Sequence, residues 1–155
     1  MMTTNCLNRP AVATALLALL LSGCDNHSAS TTAPPAAPAQ AQQLCFRQVV
    51  GRDTTMAHLL ISGTTVTGEL AVLPAEKDRA RGPLRGTLAG QKIVADWQRA
   101  GEGQTQVYEV EFTLAGDSLR WREGARVEKG GKWVLASPGQ GYQYVLGKVA
   151  CAHQP

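Results

Sequence analysis

Between residues 64 and 115, apolar and polar side chains alternate almost one for one, and that period admits one kind of element. Thr64, Val66, Gly68, Leu70 and Val72 fall on one parity, while Thr65, Thr67 and Glu69 fall on the other. Leu84, Gly86 and Leu88 alternate with Arg85 and Thr87, and Ile93, Ala95 and Trp97 alternate with Val94, Asp96 and Gln98. Tyr108, Val110, Phe112 and Leu114 alternate with Glu109, Glu111 and Thr113. A period of two sends successive side chains to opposite faces, as in half-buried antiparallel strands. The apolar spacing of an amphipathic helix is not sustained over any useful length.

Turn residues punctuate these runs. Ser62-Gly63, Ala89-Gly90-Gln91, Gly116-Asp117 and Gly130-Gly131 are tight-turn candidates, and longer links lie at 74–82, 99–104 and 137–141. Strands are expected at 45–50, 55–61, 64–73, 83–89, 92–98, 105–115 and 118–128. The segments 132–136 and 142–150 form one split strand or two separate ones. Short links between successive strands favour an up-and-down meander. Gly68 and Gly86 sit inside strands, where a tightly curved sheet bends.

The N-terminus carries a different signal. Arg9 precedes an apolar run, 11–21, that is too short to cross a bilayer, which takes about 20 residues. A positive residue, a short apolar core and small residues before a cut site define a secretory signal. Leu21-Ser22-Gly23-Cys24 resembles the lipobox of bacterial lipoproteins. That resemblance implies a signal peptide over 1–23, a diacylglyceryl group on the Cys24 sulfur, and Cys24 as the lipidated N-terminus. It places the chain in the bacterial cell envelope, lipid-anchored to a membrane and facing outside the cytoplasm. Asp25 resembles the inner-membrane retention signal of enterobacterial lipoproteins, and favours the inner membrane where that sorting applies. Residues 24–43 have no large apolar side chain to bury and carry Pro34, Pro35 and Pro38, so they read as an extended tether. At about 3.1 Å per residue such a tether reaches on the order of 60 Å. Residues 44–155 form the folded domain.

Cys45 and Cys151 bracket that domain. In an oxidising compartment they account for each other as one bridge, and no Cys-x-x-Cys redox motif is present. A bridge between the first and last strands makes the ends of the meander neighbours, and a meander whose ends meet is a barrel without exposed edges. The expected fold is therefore all-β: a single antiparallel up-and-down barrel of about eight strands, its ends joined by a disulfide. Aromatic residues make up only 5% of the chain. Since large rings usually line ligand cavities, this predicts a small, filled barrel.

The formal charge is only +3, with basic and acidic residues interspersed, so the chain lacks the basic stripe of a nucleic-acid binder. His58 and His153 have no partners at metal-ligand spacing. There is no phosphate-binding loop, no dinucleotide fingerprint and no serine elbow. No catalytic residues, metal or cofactor are expected, and the chain does not read as an enzyme. The chemistry-bearing stretch is the polar loop Glu76-Lys77-Asp78-Arg79-Ala80-Arg81-Gly82. In a meander the loop holding Glu102 falls at the same end, with Glu109 and Glu111 on the strand beside it. Glu76, Lys77, Asp78, Arg81, Glu102 and Glu111 are thus the candidates for a charged binding rim at one barrel mouth.

Two resemblances bear on the domain. Val66-Thr67-Gly68, Glu76-Lys77-Asp78, Gly82, Gly86, Glu102-Gly103 and Val110-Glu111-Phe112 together resemble uncharacterised bacterial lipoproteins with small β-barrel domains. Ser137-Pro138-Gly139-Gln140-Gly141-Tyr142 resembles the Ser-Gly-x-x-Tyr loop of membrane-bound inhibitors of c-type lysozyme, which are also small disulfide-closed barrels. The function expected is a binding module for a small ligand or an envelope protein. The alternative is a periplasmic inhibitor of a lytic enzyme such as lysozyme.

Overall fold

The computed structural model describes residues 40–151. The signal peptide, Cys24, Asp25, the proline-bearing part of the tether and His153 lie outside the described residues. The chain runs through β1 (Gln42–Val50), β2 (Asp53–Ser62), β3 (Thr65–Leu73), β4 (Ala80–Ala89) and β5 (Lys92–Gly101). It continues through β6 (Gln104–Ala115), β7 (Ser118–Glu123), β8 (Arg126–Lys129), β9 (Lys132–Leu135) and β10 (Tyr142–Val149). β1 to β7 pair antiparallel in sequence order, β7 pairs with β10, and β10 returns to β1. The result is a closed antiparallel barrel of eight strands. β1 starts at Gln42, within the segment read as tether, because its ladder with β2 begins at Gln42↔Ile61 and needs backbone groups only.

The alternation that predicts strands also predicts their inward faces. Ile93, Ala95 and Trp97 lie opposite Phe112, Val110 and Tyr108 across the β5–β6 ladder. Ile93, Ala95, Trp97, Val110 and Phe112 are buried, and Tyr108 packs against them half-buried. Leu59, Val66, Leu70, Leu84, Leu119 and Leu146 close the core from the other strands. Burying one such side chain contributes about 1.5–3 kcal/mol. Gly68 and Gly86 mark the tight bends. A Cβ at Gly68 would collide with the His58 carbonyl, and one at Gly86 would collide with the Val94 carbonyl and Ala95.

Cys45 and Cys151 are disulfide-bonded, with Cα atoms 5.2 Å apart across 106 residues. In the chain-entropy picture, a loop of that length gives at most about 4–5 kcal/mol. The bridge ties β1 to the residues just after β10, where the ladder Cys45↔Val149 closes the barrel.

One expected strand, 118–128, divides in two. Leu119, Trp121 and Glu123 point inward, and continued alternation would send Ala125 and Val127 inward as well. Instead the chain breaks at Gly124-Ala125, and Val127 is 48% exposed. β7 follows β10, Glu123 standing opposite Tyr142, and so leaves β6 after the pair Phe112↔Trp121. β9 takes the position beside β6 that β7 has left, through the parallel bridge Tyr108↔Trp133. The β8–β9 hairpin is therefore an excursion from the ring that fills a split in its wall.

Candidate functional site

The meander sends the connections to two ends. The tight turns at 63–64, 90–91 and 116–117 gather at one end with the start of β1. The connections at 51–52, 74–79 and 102–103 gather at the other, where the long segment 124–141 also leaves β7 and enters β10, its Leu135, Pro138 and Gly139 lying against the outer wall beside Glu111 and Thr113. The inward faces change character between them. β5 reads Ile93, Ala95, Trp97, Arg99 toward the second end; β6 reads Leu114, Phe112, Val110, Tyr108, Gln106; β7 reads Leu119, Trp121, Glu123; and β10 reads Leu146, Tyr144, Tyr142. Aliphatic side chains thus fill the floor, while aromatic and charged ones line the mouth. All three tryptophans and all three tyrosines of the chain lie at the mouth.

A cleft of about 560 Å³ opens there, lined by Val72, Ala80, Trp97, Tyr108, Trp121, Trp133 and Tyr144 with Asp78, Arg99, Glu123 and Arg126. The barrel is filled at this end too, since Trp97 and Trp121 are 2% exposed, and the cleft opens above their rings. Low aromatic content says nothing about where the rings sit, and here they are concentrated. Trp121 and Tyr144 stack at 4.1 Å, and Tyr142 meets Tyr144 edge-on. Trp97 meets Tyr108 edge-on at 6.1 Å, and Tyr108 leans on Trp133. Burial holds the Tyr144 phenol neutral and raises its pKa, with the Glu123 carboxylate acting in the same direction.

Two guanidinium groups share the Tyr108 ring, and they differ in one respect. Arg126 lies 4.5 Å from the ring centre and is only 6% exposed. It forks onto Glu123, Nε donating to Oε1 at 2.8 Å and Nη2 to Oε2 at 3.0 Å. Its Nη1 donates to the carbonyls of Glu109 and Trp133. It joins β6, the end of β7 and β9, and so locks the hairpin into the split wall. Lys132 helps from outside by donating to Asp96 at 2.6 Å, a hydrogen bond that raises the pKa of the ammonium. Arg99 rests 5.3 Å from the Tyr108 ring and 5.9 Å from that of Trp97. It has no ion-pair partner among the described residues. Trp97 and Trp121, each 2% exposed, keep indole N–H groups with no acceptor among the described residues. A buried donor left without an acceptor costs about 1–3 kcal/mol.

The residues predicted for a rim divide. The loops holding Glu76, Lys77, Asp78 and Glu102 do fall at one end, and Gly101 packs against the Arg79 carbonyl between them. Glu76 is ion-paired with Arg52 of the neighbouring turn, Lys77 is exposed, and exposed Asp78 reaches the cleft. Glu102 occupies a left-handed turn position with φ 54°. Arg81 and Glu111 do not belong to the rim. Gly82 and Leu84 face inward, so the pleat turns Arg81 outward, onto Glu69 at 2.7 Å. Val110 and Phe112 face inward, so Glu111 points outward to Lys92 at 2.7 Å. The cleft residues Arg99, Trp121, Arg126, Trp133 and Tyr144 are absent from the predicted rim. Extending the inward parity of β5 and β7 by one step points to Arg99 and Glu123; nothing local points to Arg126, which is turned in by the strand break.

Cys45, His58 and Cys151 form the one grouping of metal-ligating residue types among the described residues. Both sulfurs are spent in the disulfide, which leaves a single imidazole. The Gln43 amide N–H donates to its Nε2 at 2.7 Å. Comparison with protein families, with curated proteins and with solved structures finds no match for this chain, so its site is read from its own chemistry.

Proposed function

We propose that this chain is a lipid-anchored lipoprotein of the bacterial envelope whose barrel is a binding module, with the aromatic mouth as its ligand site. The observation that carries the reading is the concentration of all three tryptophans, with Tyr108 and Tyr144, around one cleft at one end of the barrel. Small-molecule sites are concave, largely apolar and supplied with a few convergent polar groups, in volumes of about 300–1,000 Å³. The direction of β1 supports the same role. β1 begins at the floor, so the chain enters the barrel at Gln42, at the end opposite the mouth.

Two experiments test this. Cys24→Ser is expected to release the protein from membranes and to abolish a lipid mass at the mature N-terminus. An unchanged membrane fraction with no lipid on Cys24 removes the anchor. For the site, the full chain is screened with small organic molecules by tryptophan emission, and each binder is mapped by hydrogen exchange. Protection is expected in 97–108, 121–126 and 142–144; protection confined to the outer wall overturns the assignment.

A second reading has one supporting observation. The loop Ser137–Tyr142, which resembles that of the lysozyme inhibitors, is exposed, and its Pro138 and Gly139 line a cleft on the outer wall beside Glu111, Thr113 and Arg120. Inhibition of a c-type lysozyme by the full chain tests it, and no inhibition at large molar excess eliminates it.

A further inference from the structure

We infer that the mouth takes a small organic monocarboxylate with a flat apolar body, and that Arg99 receives its carboxylate. This rests on the mouth being the binding site and adds the chemical class of the ligand.

The argument begins with the two arginines on Tyr108. Arg126 has both oxygens of Glu123 and two backbone carbonyls as acceptors, and so is committed to the fold. Arg99 has neither carboxylate nor carbonyl partner among the described residues, yet Trp97 and Tyr108 hold its guanidinium in place. A cation seated on ring faces is positioned without its N–H donors being used, since it is the ring quadrupole that attracts the charge. The planar fork is therefore set in advance for an acceptor of matching geometry, and a carboxylate accepts two parallel hydrogen bonds from it.

The rest of the wall sets the shape and charge of the remainder. The partly exposed rings of Tyr108, Trp133 and Tyr144 give the cleft an apolar wall, and its volume of about 560 Å³ suits a ligand of small-molecule size. Glu123 is saturated by Arg126, which leaves Arg99 as the cleft cation with no acceptor among the described residues. The remaining carboxylate on the cleft is Asp78, exposed at its edge. It repels a second negative group placed there, which selects one anionic head near Arg99 with a neutral body over a dianion.

The test compares two isosteres, naphthalene carboxylate and naphthalene carboxamide. The full chain is titrated in a non-ionic detergent, followed by tryptophan emission, with empty micelles as the blank. The carboxylate is expected to bind about tenfold more tightly than the amide, the size of one charge-assisted pairing. Arg99→Gln is expected to erase that difference by weakening the carboxylate and leaving the amide unchanged. Arg99→Lys, which keeps the charge and loses the fork, is expected to fall between. Equal affinities in the wild type, or a carboxylate affinity unmoved by Arg99→Gln, overturns the anion assignment and leaves the mouth as a binding site. Failure of both probes to bind the wild type at millimolar concentration overturns the mouth reading itself. Should Arg99→Gln lose its near-ultraviolet circular dichroism, the wild-type ratio and Arg99→Lys decide the matter.

Discussion

The floor and the mouth of this barrel are built on the same eight strands, yet they solve opposite problems. At the floor, Val66, Ile93, Leu119 and Leu146 are fully enclosed and carry no polar atom beyond the backbone. They need only volume and shape to pack. At the mouth the inward positions go to Trp, Tyr and Arg, side chains with an apolar body and a polar end, suited to a boundary between dry core and water. Their polar ends must find partners, and not all of them do. The floor holds the barrel together; the mouth keeps Arg99 without an acceptor among the described residues, and an unpaired cation is where an anionic ligand gains affinity.

The sharpest way to break this contrast is Phe112→Ala. Phe112 is 1% exposed between floor and mouth and packs edge-on against Trp121. Its truncation is expected to cost about 3–5 kcal/mol in urea unfolding. A change below about 0.5 kcal/mol, the size of an exposed substitution, would mean that the inward register is wrong.

Next in size is the floor-side bridge. Replacing Cys45 and Cys151 by serine is expected to cost about 2–5 kcal/mol, through the unfolded chain and without opening the mouth. Urea unfolding measures the loss. Tryptophan emission of the native variant should match the wild type, because the rings lie at the far end.

Arg126→Ala carries the comparison to the mouth. It strips acceptors on Glu123, Glu109 and Trp133 of their donor, and the expected cost is about 2–3 kcal/mol. The loss should be local. Amide exchange should speed up in 126–135 while β1 to β4 keep their protection, and uniform loss of protection would contradict the role of Arg126 as the hairpin's lock.

The smallest effect is a pH dependence. Tyr144 has its pKa raised by burial, so the folded state keeps a proton that the unfolded state gives up above about pH 10. The folded state then binds more protons, and stability falls as pH rises from there through the folded-state value. Tyr144→Phe removes the contribution. Between about pH 9 and about pH 11 the wild type should lose stability relative to the variant, and parallel curves in alkaline urea titrations would refute the assignment.

The inward face was legible in residues such as Ile93, Ala95, Val110 and Phe112, because in a strand chain position alone dictates which side a residue takes. The polar loop and Glu102 were legible as sharing an end, since two strands and one turn separate them. Arg81 and Glu111 were misplaced by ignoring the same rule: each stands one position from an inward residue and so points out. The aromatic mouth was hidden for a different reason. Trp97, Trp121, Trp133 and Tyr144 lie far apart in the chain, and only barrel closure makes them neighbours.

Alternation, turn residues and a cysteine at either end determined, without coordinates, that the chain folds as a closed antiparallel barrel, because each is a local or pairwise constraint. Tertiary structure alone decided that β7 leaves β6, that a hairpin fills the split, and that Arg126 is spent while Arg99 is not. Local rules cannot reach these facts. Whether a guanidinium is saturated depends on which carbonyls and carboxylates distant strands bring within about 3 Å, and that is set by how the whole wall closes.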